Sequence, residues 1–379
     1  FFSFSLKDSS YQLKFQKIEN NTKYFSKNTN LWNLLCLKKS EKIINFLQYE
    51  KRKKIRNLKN KILFCLPPKI GLGDAVEYGL AIQALIESNI FKKVGVAFSG
   101  EYSFIFENKF NIKYIYPFII SKNDFNSYEN IFHFSLEIEA LKKQKYLRSD
   151  IALEICKYFN IPQIKFCNNK FKKHKKIKKI SIFPISTSVL RTMQISVINE
   201  ILLFLKNKIE VEIFFDDKSE ISQFIEKKLD TNNFIKKNPK DVHCLIKSIE
   251  KIDYGIFVDS GPLHVSKIMG KKGILVETSV SEKVLLNNYN KIKVVKNQFS
   301  SKYCNATCGL IDIFSYKNKV GCYFSTNINQ NEILNLQSYH SLQRRDVKKN
   351  NLFYLLNPVG CVEAIDIKNI KELIEKDIL

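Results

Sequence analysis

Tyr254-Gly255-Ile256-Phe257-Val258-Asp259-Ser260-Gly261-Pro262-Leu263-His264 is a short apolar run that breaks into a polar turn and then meets proline. The apolar residues read as a buried parallel strand, and residues 262–269 as the helix that follows. Pro262 suits the first helical position, where a missing N–H costs nothing and φ is preset. The amides of Leu263 and His264 are then expected to point out of the helix end. Such a turn offers them, with the helix dipole, to an anion. Gly71-Leu72-Gly73-Asp74 is a second turn of this kind. It follows the apolar run Ile62-Leu63-Phe64-Cys65-Leu66 and opens a stretch with Val76, Leu80, Ile82, Leu85 and Ile86 at helical spacing. Two such turns in one chain predict a cleft between two α/β domains.

Working outward, strands are expected at 62–66, 94–98, 112–116 and 131–134, with a helix over most of 136–158. Residues 170–179, almost wholly basic, read as a linker, with Pro67-Pro68 closing the first strand. The pattern restarts beyond it: strand 180–184, helix 194–205, strand 211–215, helices 220–229 and 242–249, strand 254–258, helix 262–269, and strands 273–277 and 292–295. Residues 1–58 form a basic extension with helical hints at 32–37 and 43–49. The expected division is therefore 1–58, 59–169, 170–179 and 180–379, with a cysteine-containing segment at 300–361.

Composition narrows the function. The chain has 379 residues, 45% hydrophobic content and a net charge of +25. No apolar stretch reaches the ~18–20 residues of a membrane helix; residues 195–205 are interrupted by Ser196, Asn199 and Glu200. The first residues lack both a Met start and the basic stretch of a signal peptide, and read as a trimmed terminus. The charge fits either attraction to an anionic surface or the Lys- and Asn-heavy usage of an AT-rich genome. The run Lys51-Arg52-Lys53-Lys54-Ile55-Arg56 reads as a solvated helix face or as a membrane-docking patch. Lysine far outnumbers arginine, which argues against specific nucleic-acid readout. Nine cysteines in a scattered, odd set place the chain in a reducing, cytoplasmic compartment.

Each motif carries a plain and a chemical reading. Asp74 is a helix N-cap or a carboxylate that takes a proton from a hydroxyl. Asp259 and Ser260 cap a turn, or with Gly261, Leu263 and His264 they seat a diphosphate. His264 alone is also an ordinary hydrogen-bonded histidine. The hydroxyls of Ser186, Thr187 and Ser188, with Arg191 nearby, form an ST-turn capping the next helix, or Ser186, Thr187 and Arg191 hold phosphate oxygens. Cys36, Cys65, Cys156, Cys167 and Cys244 read as small buried hydrophobes. Cys304, Cys308, Cys322 and Cys361 are free thiols, two incidental pairs, or a tetrahedral S4 site for structural zinc or iron.

In order and separation these segments resemble glycosyltransferase family 9, the ADP-heptose–lipopolysaccharide heptosyltransferases and their relatives. Gly73-Asp74-Ala75-Val76 looks like that family's N-terminal Gly-Asp motif, residues 184–191 like its phosphate loop, and residues 259–264 like its diphosphate motif. Met193-Gln194 stands where the family usually has an aromatic–Pro pair, and Gly79-Leu80 where it commonly has Thr-Pro. The resemblance implies a GT-B fold, two Rossmann-like domains facing a central cleft, with the acceptor on the 59–169 side and the nucleotide sugar on the 180–379 side. It implies Asp74 as general base, inversion at the anomeric carbon, and no metal required for catalysis. Ser186, Thr187, Arg191, Asp259, Ser260, Gly261, Leu263 and His264 would hold the donor, with Glu220 or Asp217 meeting the ribose. Gly71 and Gly73 shape the first loop. The acceptor would be a glycolipid core or a protein hydroxyl, reached at an anionic membrane surface through the basic extension. Some protein-modifying members carry a four-cysteine iron finger, which favours the metal reading of the C-terminal cysteines. The alternative is a non-catalytic GT-B-like protein that binds a nucleotide or an anionic polymer.

Overall fold

The computed structural model describes residues 2–7, 12–17, 31–32, 61–66, 70–98, 102–117, 124, 127–133, 150–163, 177–230, 233–286, 289–316, 319–329 and 352–378. The chain divides into two compact units, residues 1–164 and 165–379.

The first unit opens with β1 (Phe2–Lys7), β2 (Gln12–Lys17) and β3 (Leu31–Trp32), an antiparallel sheet in the order β2-β1-β3. Trp32 therefore belongs to a strand rather than to the helix expected at 32–37. Pairing of Leu31 and Trp32 with Ser5 and Phe4 decides it, as tertiary partners override a short apolar hint. The remainder of that stretch, residues 43–49, the charge run at 51–56 and Pro67-Pro68 lie outside the described residues.

A second sheet follows, built from β4 (Lys61–Cys65), β5 (Lys93–Phe98), β6 (Tyr114–Pro117) and β7 (Asn130–His133). All pairings are parallel, in the order β6-β5-β4-β7. Ile62, Leu63, Phe64 and Cys65 are fully buried, as an unbroken apolar run in a covered parallel strand should be. Helices α1 (Leu72–Glu87), α2 (Ser103–Phe110) and α3 (Ile151–Phe159) connect or follow these strands. The helix expected over 136–158 is described only as α3, which begins where Asp150 caps it by accepting the Leu153 amide (2.9 Å); residues 134–149 lie outside the description. Gly79 has a packing reason: a Cβ there would lie 2.1 Å from the Phe110 ring of α2.

The second unit carries a six-stranded parallel sheet: β8 (Lys179–Phe183), β9 (Glu210–Phe214), β10 (Ile235–Lys237), β11 (Tyr254–Phe257), β12 (Lys272–Val276) and β13 (Ile292–Val295). Its helices are α4 (Ile195–Leu205), α5 (Glu220–Lys228), α6 (Val242–Lys251), α7 (Gly261–Ile268) and the single turn α8 (Glu282–Leu285). The order β10-β9-β8-β11-β12-β13 places the strands third, second, first, fourth, fifth and sixth, the dinucleotide-binding topology. Both large sheets are parallel with alternating helices, so the α/β expectation of two Rossmann-like units holds.

The ends of three adjacent strands share an aromatic floor. Phe183 stacks on Phe214 (4.2 Å between centroids) and on Phe257 (5.3 Å), across β9, β8 and β11. Two glycines make room for it. A Cβ on Gly255 would lie 2.0 Å from the Phe257 ring, and one on Gly273 would lie 2.1 Å from the Gly255 carbonyl. Gly255→Ala removes a strand glycine, worth at most ~1 kcal/mol, but overpacks a closed site at a cost of ~1–3 kcal/mol. Urea titration should show a net loss of stability; an unchanged midpoint would mean that Phe257 relaxes freely.

Beyond β13 come the hairpin β14 (Phe314–Tyr316) and β15 (Lys319–Gly321), then α9 (Tyr323–Thr326), α10 (Phe353–Leu356) and α11 (Ile367–Asp377). Helix α11 returns Ile370 and Ile374 to the core, and Asp377 accepts from Tyr254 Oη and Lys293 Nζ on β11 and β13. The expected elements stop short of α11, although Ile367, Ile370 and Ile374 keep helical spacing. Among the described residues no helix is long and apolar enough to cross a membrane.

Candidate functional site

In the six-stranded sheet of the second unit the chain reverses its direction of growth between β8 and β11, and in open α/β sheets ligands bind outside the strand ends at that reversal. Two loops leave the sheet there: one after Phe183, the other after Phe257. The first is held by its own hydroxyls. Thr192 Oγ1 accepts the Ser186 amide (3.0 Å) and donates to the Ser188 carbonyl (2.8 Å). Ser188 Oγ accepts the Leu190 amide (3.2 Å) and starts a 3₁₀ turn, Val189–Arg191. The ST-turn is thus made by Ser188 rather than by Ser186 or Thr187, and Arg191 ends the 3₁₀ turn that it starts.

Arg191 is the hub. Its Nη1 meets Asp259 Oδ2 (3.3 Å), its Nη2 donates to Thr187 Oγ1 (2.7 Å) and its Nε donates to the Ile311 carbonyl (3.0 Å). Ser186 Oγ donates to the Asp259 carbonyl (2.6 Å), closing the two loops on each other. The structure therefore brings Ser186, Thr187, Arg191 and Asp259 together, residues far apart in sequence. A guanidinium carries five N–H donors, so these contacts leave two for an anion. Neither sequence pattern nor spacing pointed to Ile311, because a main-chain carbonyl has no residue-type signature.

The helix start differs from expectation in two ways. Helix α7 begins at Gly261 with Ser260 as its N-cap, which puts Pro262 at the second position rather than the first. The Leu263 amide donates to the Ser260 carbonyl (3.1 Å), so it does not point outward as expected. An N-cap carbonyl takes its bond inside the helix, and Pro262 adds no donor. The turn thus presents fewer free amides than expected, and the donors left over beside it are those of Arg191. Ser260 Oγ donates to the Val258 carbonyl (3.2 Å), and Leu263 and His264 are buried.

Glu220 is exposed in the first turn of α5, where the helix dipole alone accounts for a carboxylate. Asp217, in the loop from β9, accepts Asn238 Nδ2 (2.6 Å). Among the described residues no hydrogen bond links either to the Arg191–Asp259 group. They do follow the second strand, the position from which a carboxylate reaches ribose in this topology.

Asp74 lies in the first unit. Gly71 is the N-cap of α1, and Asp74, exposed at the third helical position, accepts the Gly71 amide (3.3 Å). It is thus not the N-cap itself. Gly71 has φ −70°, an ordinary extended value, so the turn does not need glycine's conformational freedom. Nor does space require glycine: a Cβ there would meet Asp74 Oδ2 at 3.6 Å, an ordinary contact.

No protein-family model and no curated protein matches the chain. Solved structures do. The chain is similar to the ADP-heptose lipopolysaccharide heptosyltransferase II of E. coli at 11% identity, covering 62% of this chain and 90% of that one, with a TM-score of 0.44. A family 9 glycosyltransferase from Veillonella parvula matches at 11% identity over 64% and 87%, TM-score 0.45. The iron-containing dodecameric glycosyltransferase of enterotoxigenic E. coli matches at 10% identity over 84% and 77%, TM-score 0.47.

The C-terminal cysteines form a separate group in the second unit. Cys322 and Cys361 are buried in its core, and Cys304 and Cys308 pack against it. Burial pushes the Cys308 thiol up to about 12, helped by charge on Cys304 and Cys322. Burial likewise raises Cys361 well above the ordinary range, followed by the charges of Cys308, Cys322 and Cys304. Cys304 is raised for the same first reason. The fold thus places in or against one core four thiols that the sequence spreads over 304–361. Among the described residues, no three His, Cys, Asp or Glu side chains are grouped closely enough to hold a metal ion.

Proposed function

We propose that this chain is an inverting glycosyltransferase. A nucleotide-diphosphate sugar binds the second unit, and Asp74 of the first unit is the base. The observation that carries this is the convergence of Arg191, Thr187 and Ser186 on the Asp259 loop at the sheet's reversal point. An arginine pinned on three sides with donors to spare is preorganised for a charge that grows during reaction.

The acceptor hydroxyl attacks the anomeric carbon from the face opposite the diphosphate, and Asp74 takes its proton. The new C–O bond forms as the bond to the diphosphate oxygen breaks, through an oxocarbenium-like transition state. Arg191, with Thr187 and the Ser260–Gly261 turn, stabilises the departing diphosphate more than the bound donor. Guanidinium supplies the positive charge that this chemistry needs, so no catalytic metal enters the scheme. The motif resemblance favours ADP-heptose as donor and a lipopolysaccharide core or protein hydroxyl as acceptor. The net charge of +25 suits an acceptor at the anionic inner face of the cytoplasmic membrane.

Thermal unfolding with ADP, UDP and GDP tests donor binding. A nucleotide at ~100 times its Kd adds about 2.7 kcal/mol and a clear rise in Tm. No rise with any of the three at millimolar concentration would remove the donor site. Transfer of labelled sugar from the nucleotide that binds then tests catalysis.

We also propose that the four C-terminal cysteines draw together around structural zinc or iron, closer than their side chains stand in this structure. Soft thiolates suit both metals, and all four lie in or against one core. Protein purified under reducing conditions should carry about one zinc or iron per chain. Cys308→Ser should lose it and lower Tm. Unchanged metal content in that variant would rule the assignment out.

A further inference from the structure

We propose that the cysteine segment positions Arg191 and is thereby part of the donor site rather than a remote staple. The segment touches the loops at the strand ends at several points. Arg191 Nε donates to the Ile311 carbonyl (3.0 Å), and Gln194 Nε2, in the same loop, donates to the Val362 carbonyl. The loop after β12 grips the neighbouring residues: Ser279 Oγ donates to the Leu310 carbonyl (2.5 Å), and its own carbonyl accepts the Gly309 amide (2.8 Å). Asn297 joins the other end, donating through its side chain to the Cys361 carbonyl (2.5 Å) and through its amide to Glu277 (3.0 Å).

Ile311 stands three residues after Cys308, so the peptide that orients the guanidinium is held between a half-buried thiol and Ser279. A carbonyl bonded to Nε leaves both terminal nitrogens directed at Asp259, Thr187 and an incoming anion. Shifting 308–311 by a few tenths of an ångström turns that fan away. The functional part of this inference rests on the donor-site reading; the structural coupling does not.

The test uses both. The chain has six arginines, so the Nε–H region of a nitrogen-15 spectrum of the full chain is sparse, and Arg191→Lys identifies the signal of Arg191. Cys308→Ser and, independently, Ser279→Ala should shift that signal, while Cys244→Ser, on α6, should not. The Kd for ADP, or whichever diphosphate probe binds, should rise about fivefold in the first two variants. If Cys308→Ser fails to fold, Ser279→Ala still decides. An Arg191 signal unmoved in every folded variant overturns the coupling. A shifted signal with unchanged Kd overturns the role in donor binding. If the unaltered chain binds none of the probes, the donor-site reading fails, and the signal still reports on the coupling.

Discussion

Asp74→Ala should lose sugar transfer by about 10²–10⁴-fold, the range a positioned general base supplies, and leave nucleotide affinity intact. The two effects separate because Asp74 belongs to the first unit and the Arg191–Asp259 group to the second. Folding is a poor alternative explanation for the loss. The carboxylate is exposed and accepts one 3.3 Å bond from Gly71, so its removal costs ~1 kcal/mol or less. Asp74→Asn keeps the shape and the bond but not the basicity, and should lose nearly as much activity. Measured kcat with saturating donor and acceptor checks both variants. Full activity in Asp74→Ala would reduce this residue to a helix-start contact and move the base elsewhere. Nucleotide binding with no transfer by the unaltered chain under any acceptor would favour the non-catalytic alternative.

Arg191→Ala should be costly twice over. Its side chain is 16% exposed and that of Asp259 6%, so truncation leaves a nearly buried carboxylate without this cation. Breaking such a pair from one side costs about 3 kcal/mol, at the low end because Arg191 keeps some solvent. The Thr187 and Ile311 bonds go with it. Chemical denaturation should show that loss, and calorimetry a drop of at least ~10-fold in affinity for a nucleoside diphosphate. Adding Asp259→Asn to Arg191→Ala separates the terms. An uncharged amide is cheaper to leave buried, so stability recovers in part while affinity stays low. Recovery of affinity as well would mean that Arg191 only neutralises Asp259 and never meets the ligand.

Much of the fold was legible because buried parallel strands write themselves as unbroken apolar runs. Residues 62–65 and 254–257 could hardly be anything else between turn signals. Caps were less visible. Asp150 and Asp241 each accept an amide three residues on, yet neither stood out from the many other polar residues of a lysine-rich chain. The glycines mislead in one direction: Gly71 invites a conformational argument and needs none, whereas Gly79 and Gly255 are fixed by rings packed on them.

From the sequence alone came the alternation of strands and helices, the two polar turns, and a short list of side chains with the right chemistry, since each depends on neighbours along the chain. Which loops meet depends on strand order, and strand order is set by pairings between residues dozens of positions apart. Only the folded sheet puts β8 beside β11, lays Arg191 across Asp259, and brings the Ile311 carbonyl and four scattered thiols into the same half of the molecule. It also spent the Leu263 amide inside the helix, because an N-cap carbonyl claims its donor before any ligand arrives.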